Sequence, residues 1–188
     1  GYHRQSYGGC KVGVGDVMIG AAAAIADYNG VKNASHVKDK IIEMCHLNET
    51  MFSCGIACSA QGARTGSGVY LIDILLANIC KQNVTRFPYE IARLLQDIAG
   101  GLMVTAPSAT DWRDPKVRAY LEKYLVGGEG TSMENRMKMM RLIENMTIGS
   151  SAVGYLVESL HGAGSPQAQR IMIGRLSNLE DKKKLAKQ

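Results

Sequence analysis

The chain has 188 residues, 46% hydrophobic and 21% charged, a size and balance that suit one domain with a substantial core. No run of about 18 uncharged apolar residues marks a membrane span, and with two Phe and one Trp there is no aromatic platform for stacking single-stranded nucleic acid. Much of the formal net charge of +5 sits in the tail DKKKLAKQ, where Lys182, Lys183, Lys184 and Lys187 read as a solvated helix end. Neither a nucleic acid nor a membrane is expected as a partner, while affinity for a phosphorylated anionic ligand stays open.

Five cysteines, Cys10, Cys45, Cys54, Cys58 and Cys80, form an odd set in apolar helical sequence, which predicts reduced thiols in a cytoplasmic protein. The chain opens on Gly1 with no basic-then-apolar leader pattern, and a fragment boundary is expected there.

Strand signals are weak and helical periodicity recurs, so the expected fold is all-α. Gly15 to Tyr28 is Ala-rich and stops at Asn29-Gly30, a good helix end. VMIGAAAAIA within it reads as a buried helix. Ser35 is expected to cap a long helix to about Gly62, with Val37, Ile41, Met44, Met51 and Ile56 on its buried side. After RTGSG a helix is predicted from about Val69 to Lys81. Pro88 suits the first turn of FPYEIARLLQDIA, which stops at Gly100-Gly101. A non-helical stretch around Pro107 follows, and Asp114-Pro115 starts another helix. Thr131 and Glu134 have capping-box spacing and open a long helix to about Leu160. Ser165 then caps the last helix, with Pro166 in its first turn. Long helices joined by short loops predict an antiparallel bundle.

Several residues carry possible chemistry. Imidazole and thiolate are both metal donors, so His3 and Cys10 can ligate one iron or zinc; a surface histidine and a small buried cysteine are the plain alternative. Tyr7 and Lys11 add a hydrogen-bond donor and a cation beside them. Cys54 and Cys58 share a helix face, but MFSCGIACSAQG reads as core. His36 and His46 read as helix-face residues, Cys45 and Cys80 as core. Glu158 follows the apolar run AVGYLV, where burial would raise its pKa toward proton transfer, unless it is a partly solvated helix-end residue. HGAGSP offers closely approachable backbone at Gly162 and Gly164 just before a helix N-terminus: an anion or cofactor edge, or a simple helix-helix turn.

Longer stretches resemble known families. The run QDIAGGLMVTAPSATDWRDPKVRAYLEKYLVGGEGTSMENR looks like a divergent acyl-CoA dehydrogenase C-terminal domain. There a Gln-x-x-x-Gly-Gly element and a later Glu-Gly-Thr lie near the flavin and the subunit interface; Gln96, Gly100 and Gly101 match the first, and Glu129, Gly130 and Thr131 the second. The blocks HRQSYGGCKVGVGDVMIGAA and ESLHGAGSPQAQR resemble the 4-hydroxyphenylacetate 3-hydroxylase family, in its branch of flavin and iron-sulfur dehydratases. That likeness covers nearly the whole chain.

It implies that residues 1–188 form one helical C-terminal domain, of the acyl-CoA dehydrogenase type, in a larger homotetrameric enzyme. The implied cofactors are FAD and a 4Fe-4S cluster held by three cysteines and one histidine. His3 and Cys10 fall on the histidine and the last cysteine ligand, and the other two cysteines belong upstream, so Cys54 and Cys58 are not ligands. The same likeness makes His3 a possible base, places Tyr7 and Lys11 against substrate and makes Glu158 an acid/base group. It lays the turn Gly162, Ala163, Gly164, Ser165 and Gln167 against FAD.

The implied reaction is loss of water from the CoA thioester 4-hydroxybutyryl-CoA to give crotonyl-CoA, with isomerisation of vinylacetyl-CoA. An unactivated C–H bond must break, which the family is thought to achieve by removing the α-proton and passing an electron to the flavin, so that the radical acidifies the β-position. Iron takes the hydroxyl as a Lewis acid. Alone, the chain is expected to hold neither an intact cluster nor a complete flavin pocket. A flavin-dependent aromatic hydroxylase component and a non-catalytic oligomerisation module are the competing expectations.

Overall fold

A computed structural model describes residues 1–128 and 130–188; Glu129 of the Glu-Gly-Thr element lies outside the described residues. The expected all-α architecture is found. Its centre is formed by α1 (Tyr2–Tyr28), α2 (Ser35–Ala60), α3 (Ile74–Val84), α4 (Phe87–Ala99) and α8 (Met133–Thr147), whose apolar faces share one core around Met18, Ile25, Met44, Ile91, Leu95 and Ile143.

α1 begins thirteen residues before the expected start at Gly15. Glycines at 8, 9, 13 and 15 lower helix propensity by up to about 1 kcal/mol each, but two of them are what allows the helix to pack. A Cβ at Gly8 would stand 2.7 Å from Cys80 Sγ and 3.4 Å from Gly55 Cα, and one at Gly15 would stand 2.1 Å from Asn48 Oδ1. Tertiary contact therefore overrides local preference. By length and hydropathy α1 could cross a membrane, yet Met18, Ala21, Ala22, Ile25 and Ala26 are buried against neighbouring helices, as expected for VMIGAAAAIA.

The close contact between Gly8 and Gly55 also fixes the rotation of α2. Val37, Met44 and Met51 face inward as expected, but Ile56 faces outward. The α2 N-cap is Ala34, with no side-chain cap, and Ser35 is already helical, one residue earlier than predicted.

The predicted helix from Val69 instead begins as a short hairpin, β1 (Ala63–Arg64) with β2 (Tyr70–Leu71), turned at Gly68 with φ +83°. Asp73 caps α3 by accepting from Leu76 N at 2.7 Å. Pro88 lies in the first turn of α4, which ends at Gly100 with φ +79°. The stretch around Pro107, expected to be irregular, holds α5 (Leu102–Thr105) and α6 (Ala109–Arg113); Ser108 and Asp111 close a capping box whose spacing is readable in the sequence. Asp114-Pro115 opens α7 (Pro115–Tyr124) as predicted.

α8 is capped by Ser132, whose Oγ accepts from Asn135 N at 3.2 Å, not by Thr131, and Glu134 pairs with Lys138. It stops at Thr147, short of Leu160. Gly149 N turns back to Glu144 O at 2.9 Å, and two short helices follow, α9 (Ala152–Tyr155) and α10 (Val157–His161). Ser165 and Pro166 open α11 (Pro166–Leu176) as predicted, and Asn178 in the left-handed region separates it from α12 (Leu179–Ala186), which carries the exposed lysine tail.

This topology builds the site. Arg136 of α8 donates to Asn29 Oδ1 at 2.8 Å at the far end of α1. The chain then returns along α1, and α10 reaches its first turns.

Candidate active site at the start of α1

Tyr7 and Lys11 stand four residues apart and so share one face of α1. Both are buried, Lys11 to 7% exposure. The Tyr7 hydroxyl donates to Glu158 Oε1. Lys11 Nζ donates to Glu158 Oε2 and, at 2.5 Å, to Gly154 O. Three residues singled out in the sequence thus converge from opposite ends of the chain, with the Glu158 carboxylate still 44% exposed.

A fourth member was not anticipated. Lys81 of α3 is fully buried; its Nζ lies 4.2 Å from the centre of the Tyr7 ring and donates to Ser159 O. The signal for it is its register: Lys81 falls four residues after buried Ala77 and three before buried Val84, on the inward stripe of an apolar helix.

Burial alone would raise the Glu158 pKa, as the sequence suggested. Hydrogen bonds from Lys11 and Tyr7 and the charges of Lys11 and Lys81 outweigh it and hold the carboxyl below its ordinary range. Glu158 is therefore an ionised acceptor at neutral pH. Burial, then the hydrogen bond to Glu158, pushes the Tyr7 phenol up to about 12, so it stays protonated and donates. Burial lowers Lys81 to about 8 against the pull of Glu158.

These shifts set a pH profile for stability. Between pH 8 and 10.5 the unfolded chain keeps a proton on Lys81 that the fold has lost, so stability rises with pH there at about 1.4 kcal/mol per unit. Cys80 acts in the opposite sense: burial pushes its thiol from 9.0 up to about 12, so above pH 9 the unfolded chain sheds a proton that the fold keeps. Burial raises Cys54 and Cys58 as well. Urea unfolding is expected to show stability climbing from pH 8 to 9 and declining above roughly pH 10; Lys81→Met should show the decline without the climb. Equal climbs in parent and variant would remove Lys81 as the cause.

His3 and Cys10 occupy one exposed stripe of α1, seven residues and hence about 10.5 Å apart along its axis. The exposed position of Cys10 departs from the plain buried-cysteine alternative. The His3 ring tilts against the Tyr7 ring at 5.3 Å. An outward imidazole and an outward thiol fit two positions of an iron-sulfur donor set; among the described residues no group of three or more His, Cys, Asp or Glu converges. Cys58 is core, its Sγ 3.2 Å from Asp73 O, and Cys54 accepts from Asn83 Nδ2 at 3.4 Å. Cys80 is buried as expected, whereas Cys45 is only half-buried. His36 and His46 lie exposed on α2.

The turn after α10 docks on the start of α1. Arg4 Nε donates to Ala163 O at 3.1 Å, and its guanidinium also donates to Asn78 Oδ1. Ala163 and Gly164 have φ of +60° and +101°. Ser165 Oγ accepts from Ala168 N and is occupied as a cap, Gln167 is exposed, and buried Gln169 donates to Gly164 O at 3.0 Å. Gln169 Oε1 has no hydrogen-bond partner among the described residues. Outside this turn lies an open cleft of about 760 Å³ lined by His3, Arg4, Asn78, Ala163, Met172 and Arg175. Two guanidiniums beside an apolar wall suit a phosphorylated, partly planar ligand, so the residues fit one side of a flavin site.

Gln96, Gly100 and Gly101 are not brought to this cleft. Their neighbour Asp97 pairs with Lys40 at 2.8 Å, and Lys40 lies about 22 Å along α2 from Gly55, the residue against Gly8. They form the corner between α4 and α5, at the opposite end of the bundle.

The helical bundle that carries this Tyr-Lys-Glu network is shared with chains of known structure. The family described as 4-hydroxyphenylacetate 3-hydroxylase C terminal matches residues 1–188, and the chain belongs to that family. Its sequence is 62% identical over 195 aligned positions to the 4-hydroxybutyryl-CoA dehydratase/vinylacetyl-CoA-Δ-isomerase of Clostridium aminobutyricum, covering 100% of this chain and 40% of that protein. The structure of an oxygen-tolerant archaeal 4-hydroxybutyryl-CoA dehydratase from N. maritimus superposes with a TM-score of 0.95 at 66% identity, over 99% of this chain and 37% of the other. The oxygenase component of 4-hydroxyphenylacetate 3-monooxygenase, solved with FAD and 4-hydroxyphenylacetate, shares the fold at 21% identity and a TM-score of 0.87, over 98% of this chain and 38% of that one. The chain thus spans about two fifths of the length of these relatives.

Proposed function

We propose that the chain is the C-terminal helical part of a 4-hydroxybutyryl-CoA dehydratase with vinylacetyl-CoA isomerase activity, working as a cytoplasmic homotetramer. The 62% identity across its whole length to such an enzyme carries this reading. Bound FAD and a 4Fe-4S cluster would supply redox and Lewis-acid chemistry, the cluster held here by His3 and Cys10 and the flavin lying against the turn at Gly162, Ala163 and Gly164.

The residues of the chain supply binding and proton transfer. Glu158 Oε2 and Oε1, kept ionised by Lys11 and Tyr7, are ready to accept a proton from a substrate carbon. The Tyr7 phenol stays protonated and, by donating to Oε1, holds the carboxylate in place. Lys11, tied to Gly154 O, fixes the carboxylate between them. Arg175, and Arg4 at the turn, offer charge to phosphates of FAD or CoA.

The test is full-length protein purified without oxygen and assayed for iron, acid-labile sulfide and conversion of 4-hydroxybutyryl-CoA to crotonyl-CoA. Iron, sulfide and turnover together are expected. A flavin-loaded protein devoid of iron would refute the dehydratase and favour a hydroxylase of the same family.

A further inference from the structure

We propose that Lys81 is a positioning residue of the site described above: it holds the Tyr7 ring on one side and the Glu158-bearing turn on the other, so that phenol and carboxylate stay paired. This rests on the proposed function only in taking Glu158 and Tyr7 as its working groups.

The argument begins with α10. It is five residues long, Val157–His161, too short to be stable on its own, and it follows a break at Leu156. Its position against α1 depends on side chains that reach it from other elements. Lys11 reaches Gly154 O and Glu158 from α1. Lys81 reaches Ser159 O from α3, the carbonyl next in sequence to Glu158. Ser159 itself is buried, with its hydroxyl turned back to Tyr155 O.

Packing alone gives no reason for a lysine here. A fully buried ammonium is disfavoured, and an apolar side chain of similar volume would fill the space without that penalty. Lys81 forms none of the described ion pairs; its compensation is the Ser159 carbonyl, the face of the Tyr7 ring and the nearby charge of Glu158. Lys11 and Cys10 from α1 and Cys80 from its own helix complete the titratable groups around it. Each compensating contact is made to a member of the network or to its immediate neighbour. One cation therefore sets both the ring plane of Tyr7 and the height of α10.

The test uses full-length, cofactor-loaded protein carrying Lys81→Met, with Val84→Ala, a buried cavity variant on the same helix, as the packing control. Lys81→Met is expected to lower kcat about 100-fold, the effect of a displacement near 1 Å at reacting groups, with KM changed by less than roughly threefold. Its crystal structure is expected to show Tyr7 Oη beyond hydrogen-bond distance of Glu158. Val84→Ala is expected to lower stability and leave kcat near the parent value. Should Lys81→Met not fold, Lys81→Gln, which keeps a donor for Ser159 O without the charge, gives the same two readouts. Retention of the Tyr7–Glu158 contact together with parental kcat overturns the proposal. A parent enzyme with no dehydratase activity refutes the proposed function instead, while the Tyr7–Glu158 distance still tests Lys81.

Discussion

Glu158→Gln in the full-length protein is expected to lower turnover by about 10²- to 10⁴-fold, the range for losing a general acid-base group. Glutamine keeps the shape and an oxygen for Lys11, but it cannot take a proton from carbon. Stability is expected to fall as well, because the substitution leaves the buried ammoniums of Lys11 and Lys81 without their carboxylate. Steady-state kinetics and a urea unfolding curve on the same preparation check both halves. Turnover within a few-fold of the parent would remove Glu158 from the chemistry. The sign of its pKa shift sharpens the role: a carboxyl held below its ordinary range is ionised at neutral pH and free to accept a proton, with lower basicity than an ordinary carboxylate. On the acid side, stability from the Glu158 contacts is present above its unfolded pKa and is lost as pH falls through the lowered folded value.

Much of this arrangement could be read before any coordinates. The stops at Asn29-Gly30 and Gly100, the Asp114-Pro115 start and the Ser165-Pro166 start depend on local backbone chemistry, and each lies where the sequence puts it. The first half of α1 is not legible locally, because its glycines argue against a helix and favour one only when Met51, Gly55 and Cys80 are packed against them. The Val69 start failed for a related reason: Tyr70 and Leu71 pair with Ala63 and Arg64 across a glycine turn, a contact that apolar periodicity does not encode. In the site, Tyr7 and Lys11 are close in sequence, but their shared face follows only from α1 reaching back to Tyr2. The apolar run AVGYLV marks Glu158 itself, but its pairing with Tyr7 and Lys11, about 150 residues away in sequence, is a long-range contact that local pattern does not encode. Lys81 is hidden by its residue type, since lysines mostly face water, although the inward register of Ala77 and Val84 marks it.

Gly162 shows how a glycine can have a steric reason that its sequence context hides. Its φ of −60° and ψ of 146° suit any residue, so backbone freedom does not explain it. A Cβ there would lie 1.8 Å from the Tyr7 hydroxyl and 2.8 Å from both Glu158 O and Glu158 Oε1. Tyr7 cannot yield easily, since its ring is buried against Lys81 and His3. Gly162→Ala is therefore expected to separate Tyr7 from Glu158, costing about 1–3 kcal/mol as overpacking and lowering turnover about 100-fold. Gly164→Ala is the contrast: its strain comes from φ +101°, and its Cβ meets only the end of Arg4 at 3.2 Å, so the Tyr7–Glu158 bond should survive. A double-mutant cycle with Tyr7→Phe isolates the clash, because removing the hydroxyl removes the atom that the new methyl strikes. Gly162→Ala should then cost distinctly less stability in the Tyr7→Phe background than in the parent, a coupling of about 0.5–3 kcal/mol. Strict additivity of the two changes would mean that the glycine answers to something other than Tyr7.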